Sequence, residues 1–453
     1  MSQDLEKLNR DMDRAVRAVW WQGKRFTRRQ ILAGAAGAAA VVVLSRLALA
    51  QMPPDSTKLQ GLPATEVSNG RSQFEQLKRR QAVAYAGIPQ VTATDQRNFM
   101  GVITPSDLHF ERHHNGIPEI DPKRYKLLIH GLVSEPKVFT LEDLKRLPQV
   151  SFPYFVECSG SSQAHWKGLP ETAIIVNTHP LFSNSEWIGV PLQVLFREVG
   201  AKREARWFLV ESYDGAAMTR SVPLSKGYDD GLIAYGQNGE AVRPEQGYPA
   251  RLLLPGWEGN IHVKWIRRIE LSDRPFMGRE ETAHYTDPYP REGKSRQFSM
   301  VWEAKSVITH PSPGLNIPGP GYVEILGLAW SGMGKVARVE VSTDGGKSWG
   351  LAALQEPILP KTSTRFRYPW VWKGEEAIIL SRCTDETGYI QPTRNQLLQA
   401  RGESLYHFNG IQAWKVQPDG SLVHVYHEPE LVTAALPAPL TGPWPLLSDC
   451  GLV

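Results

Sequence analysis

Ser151 to Trp166 reads SFPYFVECSGSSQAHW. An apolar pair, Phe155-Val156, leads into Cys158, and the small residues Ser159-Gly160-Ser161-Ser162 follow. A strand that delivers sulfur to such a loop has two main uses. It buries a thiol as a small inert hydrophobe, or it presents a thiolate to an electrophile or a metal. His165 adds a third reading, a cysteine nucleophile with a histidine base. No oxyanion loop or third orienting residue accompanies that pair.

Other polar side chains recur in short clusters. Arg112-His113-His114 closes a turn-rich segment that begins at Ile103. His262 and Lys264 alternate with Ile261, Val263 and Trp265, as on one face of a strand. Arg251 precedes Leu252-Leu253-Leu254, and Asp214 precedes Gly215. Each has a plain structural reading: an exposed basic turn, a solvated strand face, a strand-edge charge and a turn aspartate.

The bulk numbers narrow the class. A chain of 453 residues accommodates two or three domains with cores of their own. A net charge of +4 without dense Lys/Arg runs argues against a nucleic-acid groove. The three cysteines, Cys158, Cys383 and Cys450, are too few for a disulfide scaffold. No Cys-x-x-Cys pair exists, which excludes a thioredoxin-type dithiol and a Cys-x-x-Cys-His haem attachment. His310-Pro-Ser-Pro-Gly314 is a broken version of a haem-binding turn, so no haem is expected in this chain. No Gly-rich fingerprint marks a dinucleotide domain. Cys383 lies in an apolar strand pattern and reads as structural.

These residues need elements to position them. Residues 1–50 carry Arg28-Arg29, an apolar run from Ala33 to Leu44 and Ala48-Leu49-Ala50, a twin-arginine export signal. The alternative, a membrane anchor, suits a longer run not followed by Arg46. Residues 51–95 read as an arm, helix-like around Gln73–Ala82. Residues 96–272 mix strands with short helices. Strands are expected at Tyr125–Leu132, Ala205–Ser212, Ile233–Tyr235, Arg251–Pro255 and Ile261–Ile266. Helices are expected after Thr140, capped with Asp143, and over Pro191–Val199. Residues 273–300 form a proline-marked connector. Residues 301–430 alternate over Tyr322–Trp330, Val336–Ser342 and Ala377–Thr384, with a turn at Asp344-Gly345-Gly346, and predict an immunoglobulin-like antiparallel β-sandwich. Residues 431–453 form a tail containing Cys450.

Taken together, Arg112-His113-His114, Glu157-Cys-Ser-Gly160, Tyr213-Asp214, Gly247-Tyr-Pro-Ala-Arg251, His262-Val-Lys-Trp265 and Ser342-Thr-Asp-Gly-Gly-Lys-Ser-Trp349 resemble the molybdenum-containing sulfite oxidase family. The likeness runs from residue 90 to residue 425 and is greatest to the branch that oxidises sulfane sulfur. It implies an α+β chain, a mixed α/β molybdopterin domain followed by the sandwich as a dimerisation domain. It implies a molybdenum–molybdopterin cofactor with Cys158 as the single protein ligand to the metal. Arg112, His113 and His114 would line the oxo pocket and the pterin. His262 and Lys264 would hold the pterin and its phosphate, with Asp214, Gln246, Arg251, Asn260 and Val263 in the same cradle. The catalytic residues implied are Arg112, His114 and Tyr285, with Tyr289 a rival for the pocket tyrosine and Trp187 a pocket wall.

Two positions depart from the family pattern. Gln163 stands five residues after the ligand cysteine, and Asn409 stands near the last strands, where sulfite-oxidising members carry arginine. Two fewer cations suit a sulfane sulfur on a carrier protein better than free sulfite, unless Arg401 or His407 replaces the charge. The resemblance further implies a c-type cytochrome as electron acceptor, a sulfur-carrier protein as substrate, a homodimer, and a periplasmic mature protein without a membrane span. A free-sulfite dehydrogenase and a non-catalytic binding protein with a buried Cys158 are the alternatives.

Overall fold

The computed structural model describes residues 79–429 except 86–87, 100, 290–292 and 405. The twin-arginine segment, most of the 51–95 arm, the 431–453 tail and Cys450 lie outside the described residues.

Two sheets and a small ribbon frame the first half. One sheet runs, in spatial order, Lys137–Phe139, Leu127–Gly131, Ile266–Ser272, Trp207–Ser212 and Thr219–Pro223. Its Ile266–Ser272 strand pairs parallel with Leu127–Gly131 and antiparallel with Trp207–Ser212. The other sheet places Leu232–Gln237 beside Phe182–Pro191, and Phe182–Pro191 beside Val150–Glu157. Arg251–Leu253 pairs with Leu232–Gln237 and begins the run Leu252–Leu254, all fully buried. A continuous apolar run of this kind suits a strand covered on both faces. Leu127, Ile129, Val190, Leu195, Phe208, Leu252 and Ile269 form the core between these elements.

Local chemistry explains the helices found. Thr140 accepts from the Asp143 backbone N–H, and Asp143 returns the bond to Thr140 N at 2.9 Å, opening the helix Leu141–Arg146. Leu192–Glu198 follows Pro191, and Gly200 (φ 63°) ends the turn after it.

The second half is a two-sheet sandwich. One sheet orders Lys305–His310, Gly321–Trp330, Thr364–Trp372 and Ala353–Leu354. The other orders Gly350–Leu351, Val336–Ser342, Ala377–Asp385, Ala413–Val416 and Leu422–Val425. Val307, Leu328 and Trp330 meet Val339, Ile379 and Trp414 in one core. Cys383 lies in it with its thiol pushed up by burial, as a structural cysteine should. The halves touch backbone to backbone. A Cβ on Gly256 would lie 2.3 Å from the Gly332 carbonyl oxygen, and Trp302 N–H donates to the Gly256 carbonyl at 3.0 Å.

Three expectations are corrected. Residues 80–85 and 88–93 form a hairpin, so the helix-like pattern does not persist through Ala82. Residues 261–265 are not a strand; a 3-10 turn occupies Gly259–Ile261, Trp265 takes φ 50°, and the strand begins at Ile266. The connector holds a π-helical turn at Glu280–His284 and a short hairpin, Asp287–Tyr289 with Lys294–Arg296. Among the described residues no helix is long and apolar enough to cross a membrane.

Candidate active site

The strand Val150–Glu157 ends inside the molecule, and Cys158 follows it, 8% exposed and unpaired. Its N–H donates to the Leu181 carbonyl at 3.0 Å, and its carbonyl accepts from Ser161 N–H at 2.8 Å. Burial pushes the thiol above its ordinary range, while the Arg112 guanidinium and a Gly160 N–H pull it down. A bound metal would complete what Arg112 begins and hold the sulfur as thiolate.

Arg112 reaches the same place from another sheet. Glu111–Arg112 forms the third strand beside the hairpin, with Val91 opposite Arg112. The guanidinium donates to the His113 carbonyl at 2.7 Å, which fixes its direction. Glu111 holds His113 Nε2 at 3.4 Å and Arg79 at 2.6 Å.

Tyr285 enters from the connector, where the π-helical turn ends. Its hydroxyl lies 3.3 Å from His114 Nε2. Burial pushes the phenol up, so it keeps its proton. Burial and then Arg112 push His114 down to about 3, so its imidazole is neutral at pH 7. Tyr289 instead lies under the Arg296 guanidinium, 5.1 Å from ring centroid to Cζ, and does not line the cavity.

The third group comes from the backbone on either side of Arg251–Leu253. Arg251 is buried and donates to the carbonyls of Gln246 at 2.9 Å and His262 at 3.2 Å. Lys264 Nζ donates to the Glu245 carbonyl at 2.8 Å. Burial and then Arg251 lower the Lys264 amine to about 7, and burial alone lowers Arg251 to about 9. Asp214 accepts from Ser212 Oγ at 2.5 Å beside them.

Twelve of the residues singled out in the sequence, Arg112, His113, His114, Cys158, Asp214, Gln246, Arg251, Asn260, His262, Val263, Lys264 and Tyr285, line one cleft. Trp187 does not; it is fully buried one layer behind, with the Arg251 guanidinium 5.0 Å above its ring. His165 is elsewhere, stacked on Phe408 at 4.6 Å, and lines a different pocket from Cys158, so it is no base for that thiol. Gln163 is exposed and Asn409 donates to Ala304 and Tyr389, neither on the cleft. Arg401 and His407 do not replace the absent arginines. Arg401 pairs with Asp287 and Glu303, and His407 lies between Glu258 and Glu303.

The sequence reading missed two contributors. His109 lines the cleft, and burial lowers it to about 3. Arg220, fully buried, pairs with Glu281 at 3.0 Å, bonds Asn260 and lies 5.0 Å over the Tyr285 ring. It thus carries one cradle residue and the pocket tyrosine together.

Polar atoms facing the cleft suit a large anionic heterocycle. Arg251 Nε and His113 Nδ1 are buried without a hydrogen-bond partner. The His262 ring nitrogens lack a well-aligned partner, with only the carbonyls of Trp257 and Leu254 near. Buried donors of this kind cost free energy unless a ligand meets them. Among the described residues no three His, Cys, Asp or Glu side chains gather as a metal-binding group. Among the described residues Cys158 is the one thiol lining the cleft, and it alone offers a soft donor there.

Comparison with known proteins bears on this geometry. Residues 114–280 match the oxidoreductase molybdopterin binding domain family, and residues 296–413 the Mo-co oxidoreductase dimerisation domain family. The fold aligns with a chain in the crystal structure of the sulfane dehydrogenase SoxCD from Paracoccus pantotrophus. That match has a TM-score of 0.78 and 41% identity and covers 83% of this chain and 97% of that one. The chain belongs to the molybdopterin-dependent sulfite oxidase family. Two curated relatives share less of their sequence with this chain. Nitrate reductase [NADH] of Ulva prolifera is 27% identical over 75% of this chain and 43% of its own length. Mitochondrial sulfite oxidase of Mus musculus is 28% identical over 64% of this chain and 58% of its own. The chain thus spans about half the length of these two curated family members, or less.

Proposed function

We propose that this chain oxidises sulfane sulfur bound to a carrier protein, using a molybdenum–molybdopterin cofactor, and passes electrons singly to a separate c-type cytochrome. The observation that carries this reading is the supply of positive charge at the cleft. Arg112 is the guanidinium beside Cys158, Arg251 is turned into the cradle, and Arg401 and His407 are neutralised by carboxylates. A small dianion gains most from several converging cations, whereas a carrier-bound sulfur brings less charge and more contact area. The 41% identity to a chain of a sulfane dehydrogenase, against 27–28% to nitrate reductase and sulfite oxidase, supports the same choice.

The residues divide the work. Cys158 would hold the metal, and His262, Lys264, Arg251, Gln246 and Asn260 the pterin and its phosphate. When bound, the cofactor supplies two-electron oxygen-atom transfer to sulfur, with water as the oxygen source. Arg112 draws the anionic sulfur group toward Cys158. Tyr285, kept protonated by burial, donates a hydrogen bond to that group. His114, kept neutral, donates Nε2–H to the Tyr285 oxygen and so leaves the phenol proton aimed at that group. Arg220 keeps the tyrosine ring in place from beneath.

The twin-arginine segment supports export of the folded, cofactor-loaded protein to the periplasm, and the match to a dimerisation domain family supports a homodimer. Steady-state turnover with cytochrome c, comparing carrier-bound sulfane with free sulfite at low and high salt, tests the substrate. Preference for the carrier-bound form is expected. Fast oxidation of free sulfite by the lone protein would make it a sulfite dehydrogenase, and purified protein without molybdenum would make it a binding protein.

A further inference from the structure

Lys305 opens the first strand of the sandwich and is wholly buried. Its ammonium donates to Glu157 Oε1 at 2.7 Å and to Ser162 Oγ at 2.8 Å. Those partners stand at the two ends of the Cys158–Ser161 loop, so one cation from the second half spans the segment that carries the thiol. Trp302 Nε1 donates to the Glu157 carbonyl at 2.9 Å, and Trp330 Nε1 to Glu157 Oε2 at 2.8 Å. Further along the loop, Ser159 gives its carbonyl to His407 N–H at 2.9 Å. No bond to the cleft or to substrate is involved, since Lys305 and Glu157 do not line it.

We propose that Lys305 is a positioning residue that sets the aim of the Cys158 sulfur by tying both ends of its loop to the sandwich domain. A domain clamp alone needs a single anchor, and Glu157 with its two tryptophan donors already provides it. The second bond, to Ser162, holds the far end of the segment and so closes the loop around the sulfur. A charge-assisted hydrogen bond in a dry interior is strong and directional, so it fixes the loop more tightly than packing would. The proposal rests on Cys158 being the metal ligand.

The test uses full-length protein prepared with and without molybdenum cofactor, as Ser162→Ala, Lys305→Met/Glu157→Gln and Lys305→Arg. In cofactor-free protein, iodoacetamide should modify Cys158 about tenfold faster in the first two variants, the factor expected when one such bond releases a loop. Cys383 should stay protected, reporting an intact core. In loaded protein the same variants should shift the thiolate-to-metal absorption and the metal reduction potential, and Lys305→Arg should restore both in part. Native alkylation rate, spectrum and potential in folded Ser162→Ala would overturn the proposal, whether or not the double variant folds. Absence of metal from loaded wild-type protein would instead count against the functional reading, and the alkylation rates would still decide the loop's role.

Discussion

The hydroxyl of Tyr285 lies 3.3 Å from Nε2 of His114, in a cleft whose interior also holds the Cys158 thiol. The phenol keeps its proton and the neutral imidazole carries one of its own, so His114 can donate to the phenol oxygen while Tyr285 donates into the cleft. Tyr285→Phe removes that donor without changing the packing. Turnover should fall about 10- to 100-fold, the worth of a hydrogen bond to a charged group, with metal content unchanged. Tyr289→Phe should stay within about twofold of wild type, since that ring lies under Arg296 away from the cleft. Steady-state kinetics on both variants decides which tyrosine serves.

Cys158→Ala should abolish oxidation and the thiolate-to-metal absorption while leaving the fold intact. Circular dichroism and metal analysis check this together. A variant that keeps turnover would refute the ligand assignment.

Arg220 and Glu281 form an ion pair with side chains 1% and 0% exposed. Removing one partner leaves the other charged and buried, which costs about 3–5 kcal/mol. Arg220→Met should therefore lower the urea midpoint strongly, and Arg220→Met/Glu281→Gln should recover much of it. Activity should remain low in the double variant, because Asn260 and the Tyr285 ring lose their support. Recovery of both stability and turnover would show Arg220 to be structural only.

His407 predicts a pH dependence. Burial opposes its charge, but Glu303, with help from Glu258, raises its proton affinity from the ordinary 6.5 to about 9. A group whose pKa rises on folding binds its proton more tightly in the native state. Its contribution is therefore complete below about 6.5 and is lost as pH rises through about 9. Urea unfolding from pH 6 to pH 9.5 should show declining stability, and His407→Gln should flatten that part of the profile.

Much of the site was legible because its chemistry is carried by short motifs. Cys158 with its small-residue loop, Arg112-His113-His114 and His262-x-Lys264 each lie within a few residues and converge through the sheets around them. The Thr140 cap and the strand Val336–Ser342 were legible because local hydrogen bonding and alternation decide them. The segment 261–265 was misread because alternation predicts a strand, whereas here all but the half-buried Lys264 are buried and the backbone turns at Trp265 to deliver His262 and Lys264 to the cleft. Arg220 and Glu281 were invisible because no spacing rule links residues 61 apart. Arg401 and His407 look like spare cations in the sequence; only the fold reveals the carboxylates that take up their charge.

The glycine contact between the halves has a practical consequence. A side chain at Gly256 or Gly332 would drive into the opposing carbonyl, so the two surfaces accept each other only as backbone on backbone. A foreign sandwich grafted onto this half should dock only if it brings glycine to the position of Gly332. Fit at this seam, and not only the interior of each half, therefore decides which sandwich this half accepts.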